Sequence, residues 1–492
     1  MQLLTFSVII LTASSLGLPF IQFWGKPRAR VAPYVLIAAL VASLLAVGFN
    51  SVYPQRDALF TGLLTSDSLG GFFAIVTLTV TLFVTIASVD YIQDRNNAPT
   101  YYSLLSFTAL GMLLLSYSAD LLMLFIAWEL MSLPTYVLAG FEKRRAQSNE
   151  AAVKYAVIGA LSSAILLYAI SLAYGVAGTT QIAGVVKQMS AEAFNPVTSL
   201  AVILFIVGFG FKMSIVPFHM WIPDAYEGAP TTISTLLAAA TKKAGFIAAI
   251  RVLLAVATVY VVTQNPLFST ANVLAVLALV TMTVGNIAAL TQKSMTRLLA
   301  YSSIAQAGYM LIGFVIFSYS QQTGSFASEA LLGLTGTVFH VLNHAVMKGA
   351  AFLAAAVVLL KLKRADLGVF NGLGKRMPLT AFSMTVALLG LAGVPPLSGF
   401  WSKLLLFTSV INGPFAWLAV AGILNSAFSL GYYAWIIKRM YIDEPDSSER
   451  AQEPFSFVLV LLVCVAIIVG FGLFPGPAIS FAGQAASSIF PH

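Results

Sequence analysis

Cysteine and charged residues are scarce in this sequence of 492 residues. The single cysteine, Cys464, lies inside an apolar run and cannot form an intrachain disulfide. No Cys-x-x-Cys motif or Cys/His cluster is present to hold zinc or an iron–sulfur cluster. Charged residues make up only 9% of the chain, whereas a typical soluble domain carries about 25%. This lack of charge, with 59% hydrophobic residues, indicates a protein that crosses a membrane many times.

Apolar runs follow one another along the whole chain. At about 20 residues per crossing, we count about fourteen spans. They lie near residues 3–23, 31–50, 72–90, 101–118, 120–140, 150–175, 197–217, 231–262, 269–291, 297–318, 327–360, 378–412, 415–437 and 455–475. The loops are short and no soluble domain interrupts the spans, so we expect no nucleotide or flavin site within this chain. The sequence predicts an all-α polytopic membrane protein.

The 26 basic residues are distributed unevenly between the two sides of the membrane. The loops of one side hold Lys26, Arg28, Arg30, Arg95, Lys143, Arg144, Arg145, Lys293, Arg297, Lys361, Lys363, Arg364, Lys375, Arg376, Lys438, Arg439 and Arg450. The loops of the other side hold only Arg56 and Lys187. By the positive-inside rule, the side with many basic residues is the inside. With an even number of spans, both termini then lie on the outer side of the membrane, which we expect to be the cell inner (plasma) membrane. The net charge of +8 is thereby explained by topology, and we expect no nucleic acid partner.

Seven further basic residues fall at or within the predicted spans. They are Lys154, Lys212, Lys242, Lys243, Arg251, Lys348 and Lys403. A lysine at bilayer depth costs roughly 2.5 to 3.5 kcal/mol on insertion scales, so it is rarely left there without a use. Seven such cations are too many for passive anchors.

Two spans are interrupted by proline beside a lysine. The run 197–217 contains Lys212 and Pro217, and the run 391–403 contains a proline pair and ends at Lys403. A broken helix is tolerated in a membrane only where protein or water satisfies the freed backbone groups, and transporters build midplane ion sites in this way. The breaks lie about 180 residues apart, in the positions of helices 7 and 12. This spacing predicts two inverted five-helix repeats.

The repeats divide the chain into four parts. We expect N-terminal helices 1–3 in residues 1–98, the first repeat with helices 4–8 in 99–265, the second repeat with helices 9–13 in 266–440, and helix 14 in 441–492.

Glu129 and the lysines are candidates for proton transfer. Glu129 is a carboxylate in an otherwise uncharged span, and a lysine on a neighbouring helix would keep it ionised. One hypothesis is that it pairs with Lys212 and modulates proton release from that lysine; the alternative is a structural ion pair. Desolvation and like-charge repulsion act against a permanent charge on Lys212 and Lys242, so both could exchange protons. Lys403 extends the series, and Lys243 is expected to reach a helix end and snorkel.

A third constellation places His340, His344 and Lys348 at i, i+4 and i+8, on one stripe of a helix. Histidine changes charge near physiological pH, so the stripe could relay protons between the two halves. No cysteine or carboxylate is nearby to complete a metal site. The alternative is a pair of hydrogen-bonded histidines that serve helix packing.

Several motifs carry a family resemblance over nearly the whole chain. They are WELMSLP at 128–134, YVLAGF at 136–141, EAAVKY at 150–155, FKMSIVPFH at 211–219, WIPDAYEGAP at 221–230 and RLLAYSS at 297–303. Together they resemble the antiporter-like family of proton-pumping membrane subunits, most closely the pattern of subunit N of respiratory complex I, the NADH–quinone oxidoreductase.

The resemblance implies fourteen helices, two inverted repeats and a chain of protonatable residues along the membrane midplane. In that scheme Glu129 matches the helix-five glutamate, Lys212 the broken-helix lysine, Lys242 the next-helix lysine and Lys403 the exit lysine. The resemblance also implies no cofactor in this chain, and flavin, iron–sulfur clusters and quinone in partner subunits. The partners would be antiporter-like and small helical membrane subunits, a peripheral redox arm and the lipid bilayer.

The stripe of His340, His344 and Lys348 departs from many N subunits. It is more similar to subunits L and M, or to the related membrane subunit of multi-subunit cation/proton antiporters. From the motifs and the embedded charged residues together, we expect a proton-translocating subunit of a redox-driven complex of the NADH–quinone oxidoreductase type. The alternatives are a subunit of a sodium/proton antiporter, a relative fed by a reduced deazaflavin or ferredoxin, or a purely structural subunit.

Overall fold

A computed structural model describes residues 2–24, 30–52, 58–92, 97–190, 195–256, 268–364, 366–445 and 449–489. The predicted loop positions of Lys26, Arg28, Arg56 and Arg95, and the predicted boundary between 265 and 266, lie outside the described residues.

The chain is almost entirely helical. The first part contains α1 (Gln2–Gly17), α2 (Ala32–Val52), α3 (Ser68–Ile92), α4 (Ala98–Tyr117), α5 (Leu121–Ala139), α6 (Ala146–Ala177), the short α7 (Ile182–Met189), α8 (Pro196–Met213), α9 (Ile222–Gly228), α10 (Thr231–Leu236) and α11 (Lys242–Ala249). The π-helical segments Leu237–Thr241 and Ile250–Leu254 flank α11. Two strands of two residues each, β1 (Ala58–Leu59) and β2 (Leu64–Thr65), pair antiparallel.

The second part contains α12 (Thr270–Leu290), α13 (Met295–Thr323), α14 (Ala327–Leu362), the short α15 (Leu373–Arg376), α16 (Pro378–Ala392), α17 (Ser398–Ile411), α18 (Ala416–Tyr441), α19 (Phe455–Leu473) and α20 (Pro475–Ser487). Short 3-10 turns cover Leu18–Trp24, Phe60–Gly62 and Leu367–Phe370.

Twelve helices within the described residues are long and apolar enough to cross a membrane. Two more crossings are built from shorter pieces: α10 and α11 with their π-helical segments, and α16 followed by α17. This architecture confirms the prediction of an all-α polytopic protein with about fourteen transmembrane helices. The final helix α20 was not predicted, and it packs against α14 and α3.

The helices differ in how much of their surface is buried within the bundle. Helices α13 and α14 are buried along most of their length, whereas α6 and α18 expose many apolar side chains. Such outward faces suit contact with lipid or with other membrane helices. Lys242 and Lys243 of α11 and Lys348 of α14 are at most 1% exposed.

An ion pair holds the end of the crossing that contains α11. The guanidinium of Arg251 donates to both carboxylate oxygens of Asp67, over 2.9 and 2.8 Å, and also to the Ser116 carbonyl oxygen. The Asp67 side chain in turn accepts from the Gly70 amide at the start of α3. Arg251 was one of the seven embedded cations, and its contacts indicate a structural role.

We expect Arg251→Met to lower the free energy of unfolding by about 2–3 kcal/mol, because the Asp67 carboxylate then loses its counter-ion in a site that is only 19% exposed. Thermal unfolding of the purified protein in detergent measures the change. The double variant Asp67→Asn with Arg251→Met should recover most of the loss, since no charge is left unpaired. A double variant as unstable as the single one would contradict this explanation.

Candidate functional site

Five of the seven embedded cations are buried lysines. Lys154 pairs with Glu150 and Asp224, both over 2.7 Å, and Arg251 pairs with Asp67. The other five are at most 4% exposed, and within the described residues none has a carboxylate in ion-pair distance. They are Lys212, Lys242, Lys243, Lys348 and Lys403. A buried ammonium without a counter-ion is disfavoured, so these amines are suited to accept and release protons.

At the first helix break, the backbone carbonyls at the end of α8 accept hydrogen bonds from residues that follow the helix. Ser214 adopts a left-handed conformation with φ of 70°, and the Ile215 amide donates back to the Gly210 carbonyl over 2.9 Å. The Trp221 indole donates to the Phe211 carbonyl over 3.1 Å. These bonds satisfy carbonyls that the break would otherwise leave free.

Lys212 lies in the last turn of α8, where the helix dipole favours a cation. Its Nζ donates to Ser132 Oγ over 3.1 Å and to the Tyr155 hydroxyl over 2.9 Å. The Tyr155 ring stacks on Trp221 at 4.5 Å between centroids, which fixes the direction of its hydroxyl. The first break therefore holds the lysine and its hydroxyl partner in one packed unit.

Glu129 does not pair directly with Lys212. Its Oε1 accepts a hydrogen bond from Ser163, and its side chain is only partly buried. The predicted direct pairing is thus not observed in the described residues. The two groups are neighbours through helix α5, because Ser132, which binds Lys212, lies one turn from Glu129.

The second break has the same backbone pattern as the first. Gly393 takes the left-handed conformation with φ of 86°, and the Val394 amide donates to the Leu389 carbonyl over 3.1 Å. This bond matches that of Ile215, about 180 residues earlier. The correspondence supports the internal repeat, whose inverted arrangement stays a prediction.

Lys403 caps the carbonyls that this second break exposes. Its Nζ donates to the Leu391 and Ala392 carbonyls over 2.8 and 3.0 Å, and to Ser426 Oγ over 2.8 Å. It also lies 4.8 Å from the centre of the Tyr309 ring. Free carbonyls at a helix end carry partial negative charge, so the break itself provides the site for the amine.

The adjacent residues Lys242 and Lys243 contact two different helices. Lys242 Nζ donates to the Ser303 carbonyl over 2.6 Å and to the Ser303 hydroxyl over 3.2 Å, both on α13. Lys243 contacts His344 Nδ1 on α14 and is fully buried. The prediction that Lys243 snorkels is therefore wrong. Its helix continues through π-helical segments on both sides, so Lys243 lies in the middle of a crossing.

The predicted stripe lies on α14, and all three of its residues are fully buried. His340 Nε2 lies 2.9 Å from Gln306 Oε1, and its Nδ1 lies 2.8 Å from Ser402 Oγ. Lys348 Nζ donates to Ser302 Oγ over 2.6 Å.

Hydrogen bonds connect the stripe to the second break. The Leu391 carbonyl accepts from Lys403 Nζ and also from Gln306 Nε2, and Gln306 contacts His340. The link from Lys212 to Lys242 is not closed by hydrogen bonds within the described residues. Helix α11 does pack closely on Lys212, since a Cβ at Gly245, three residues after Lys242, would lie 3.0 Å from Lys212 Cβ.

Sequence reasoning missed the neutral partners of these amines. They are Ser132, Tyr155, Ser302, Ser303, Gln306, Ser402 and Ser426. Helix α13 did offer a signal, because Ser302, Ser303 and Gln306 are three polar residues in 1.5 turns of an apolar span. Their distance from the lysines in sequence concealed the contacts.

Comparison with known proteins places the chain in a family. Residues 118–429 match the family described as "NADH:quinone oxidoreductase/Mrp antiporter, TM". The chain belongs to this family.

Two relatives and one solved structure extend the match to nearly full length. F(420)H(2) dehydrogenase subunit N of Methanosarcina mazei is 42% identical and covers 98% of both chains. NADH-quinone oxidoreductase subunit N of Desulfitobacterium hafniense is 36% identical over 98% of this chain and 97% of its own. A chain of respiratory complex I from Thermus thermophilus superposes with a TM-score of 0.80 and 30% identity, over 96% of this chain and 98% of that one.

Proposed function

We propose that this chain is a proton-translocating membrane subunit of a redox-driven complex of the NADH–quinone oxidoreductase type. The observation that carries the proposal is the set of five buried lysines, two of them at helix breaks, for which the described part of the chain provides no carboxylate partner. Protons would pass from the region of Glu129 and Lys212 through Lys242 and the stripe on α14 to Lys403.

The energy for this movement comes from partner subunits. Moving one charge against 100 mV costs about 2.3 kcal/mol. Flavin, iron–sulfur clusters and quinone would be held by partners, including a peripheral arm. The two relatives are named for different electron donors, so the identity of the donor rests with those partners. Fourteen crossings, an even number, would put both termini on the same side of the inner membrane, and the distribution of basic loop residues places that side outside in our proposal.

Purification with the native partners tests the redox connection. We expect flavin and iron–sulfur absorbance to co-purify with this chain, and proton uptake into liposomes to follow electron transfer to quinone. A complex without redox centres that exchanges sodium for protons along an ion gradient would favour the antiporter subunit instead.

The variant Glu129→Gln separates transport from assembly. It removes only the charge of a partly buried side chain, so the complex should assemble normally while the proton-to-electron ratio falls. A normal ratio in this variant would exclude the role proposed for Glu129. Failure to assemble would favour a structural role.

A further inference from the structure

The amide of Gln306 has a defined orientation. Its Nε2 lies 3.1 Å from the Leu391 carbonyl oxygen, and its Oε1 lies 2.9 Å from His340 Nε2. A peptide carbonyl can only accept a hydrogen bond, so the NH₂ group of Gln306 must face Leu391. The amide oxygen, which also only accepts, then faces His340. His340 Nε2 must therefore carry a hydrogen whether the ring is neutral or charged.

The other ring nitrogen of His340 faces a hydroxyl group, which can either donate or accept a hydrogen bond. Nδ1 lies 2.8 Å from Ser402 Oγ, and that hydroxyl lies 3.1 Å from the Gly399 carbonyl. With a neutral ring, the Ser402 hydroxyl donates to Nδ1. With a charged ring, Nδ1–H donates to Ser402 Oγ and the hydroxyl donates to Gly399. Both charge states of His340 thus keep both nitrogens hydrogen-bonded.

We propose that Gln306 is a positioning residue that fixes neutral His340 as the Nε2–H tautomer, so that His340 gains and loses its transferred proton at Nδ1, beside Ser402. This inference rests on the proposed function, in which His340 carries protons. When His340 takes up a proton at Nδ1, a lysine ammonium gives that proton to the imidazole, which leaves a neutral amine and an imidazolium.

Three ionisable groups surround His340. Lys403 on α17 and Lys243 on α11 act on it electrostatically, and the His344 ring on the next turn of α14 lies 6.2 Å from the His340 ring. The Leu391 carbonyl that orients Gln306 is also an acceptor for Lys403. The second helix break therefore holds the exit lysine and sets the histidine tautomer through one peptide group.

Nitrogen-15 NMR of the histidines tests the tautomer. The chain has only four histidines, and subtracting the spectrum of a His340→Gln variant identifies His340. In the full-length chain in liposomes, we expect neutral His340 to show a protonated Nε2 and a bare Nδ1. Gln306→Leu should give a mixture of tautomers, whereas Gln306→Glu should keep Nε2–H because its carboxylate accepts at the same atom. A protonated Nδ1 in the neutral wild-type ring, or no change in Gln306→Leu, would overturn the proposal.

Proton pumping by the complex tests the role of Ser402. Ser402→Ala should slow pumping at least about tenfold, as expected when a proton-transfer site loses its partner. Ser402→Thr, which keeps the hydroxyl, should retain pumping. Ser409→Ala is the matched control, because this buried hydroxyl on α17 donates only to a carbonyl of its own helix over 2.7 Å. Equal rates for Ser402→Ala and Ser409→Ala would refute exchange at Nδ1. A wild-type complex that moves no protons would overturn the proposed function, and the spectra would still decide the tautomer.

Discussion

Replacing Lys212 with methionine should abolish proton pumping through this chain and leave the protein folded. Methionine fills a similar volume with an apolar side chain, and exchanging a buried charge for apolar atoms is often neutral or stabilising. Of its two partners, the Tyr155 hydroxyl keeps a hydrogen bond with Thr135 at 3.1 Å. Loss of a proton-transfer group typically slows the step by about 10²-fold or more. The proton-to-electron ratio of the complex in liposomes measures the effect.

Two further variants separate proton exchange from charge. Lys212→Arg keeps a cation that does not release its proton in proteins, so we expect pumping to be lost here as well. Lys187→Met removes the same charge from an exposed position on α7 and should behave as wild type. A wild-type ratio in Lys212→Arg would mean that Lys212 acts only as a fixed charge.

The sequence was most informative where the membrane itself restricts which residues are allowed. Long apolar runs predicted the crossings because each must span the bilayer. The energetic cost of an embedded charge selected Lys212, Lys242, Lys348 and Lys403. All four are buried in the structure, although their roles in transport stay predictions. Proline beside lysine located both breaks for a related reason, since a free carbonyl needs a donor.

Contacts between distant helices could not be predicted in the same way. Lys243 was expected to reach a helix end, because nothing in the sequence shows that it meets His344, 101 residues further along the chain. The partner of Glu129 is Ser163 on α6, and an apolar span that contains serine gives no indication of which neighbour it meets. Tertiary packing decides such pairings, and one sequence does not reveal it.

Adding one methyl group at the second break, with Gly399→Ala, should damage both stability and transport. A Cβ at Gly399 on α17 would lie only 2.0 Å from the Gly390 carbonyl oxygen on α16. Backbone cannot yield as a flexible side chain can, so the two half-helices must separate. Overpacking of this kind typically costs about 1–3 kcal/mol. Thermal unfolding in detergent measures that loss.

The same displacement would reach Lys403, which lies one turn further along α17 and donates to the Leu391 and Ala392 carbonyls of α16. Separation of the half-helices lengthens both bonds, so we expect the proton-to-electron ratio to fall together with stability. Gly431→Ala is the matched control, because a Cβ there meets no atom within 4 Å on the outer helix α18. It should leave pumping unchanged and stabilise its helix slightly. If Gly399→Ala pumped as well as Gly431→Ala, the close approach of the half-helices would not be what positions Lys403.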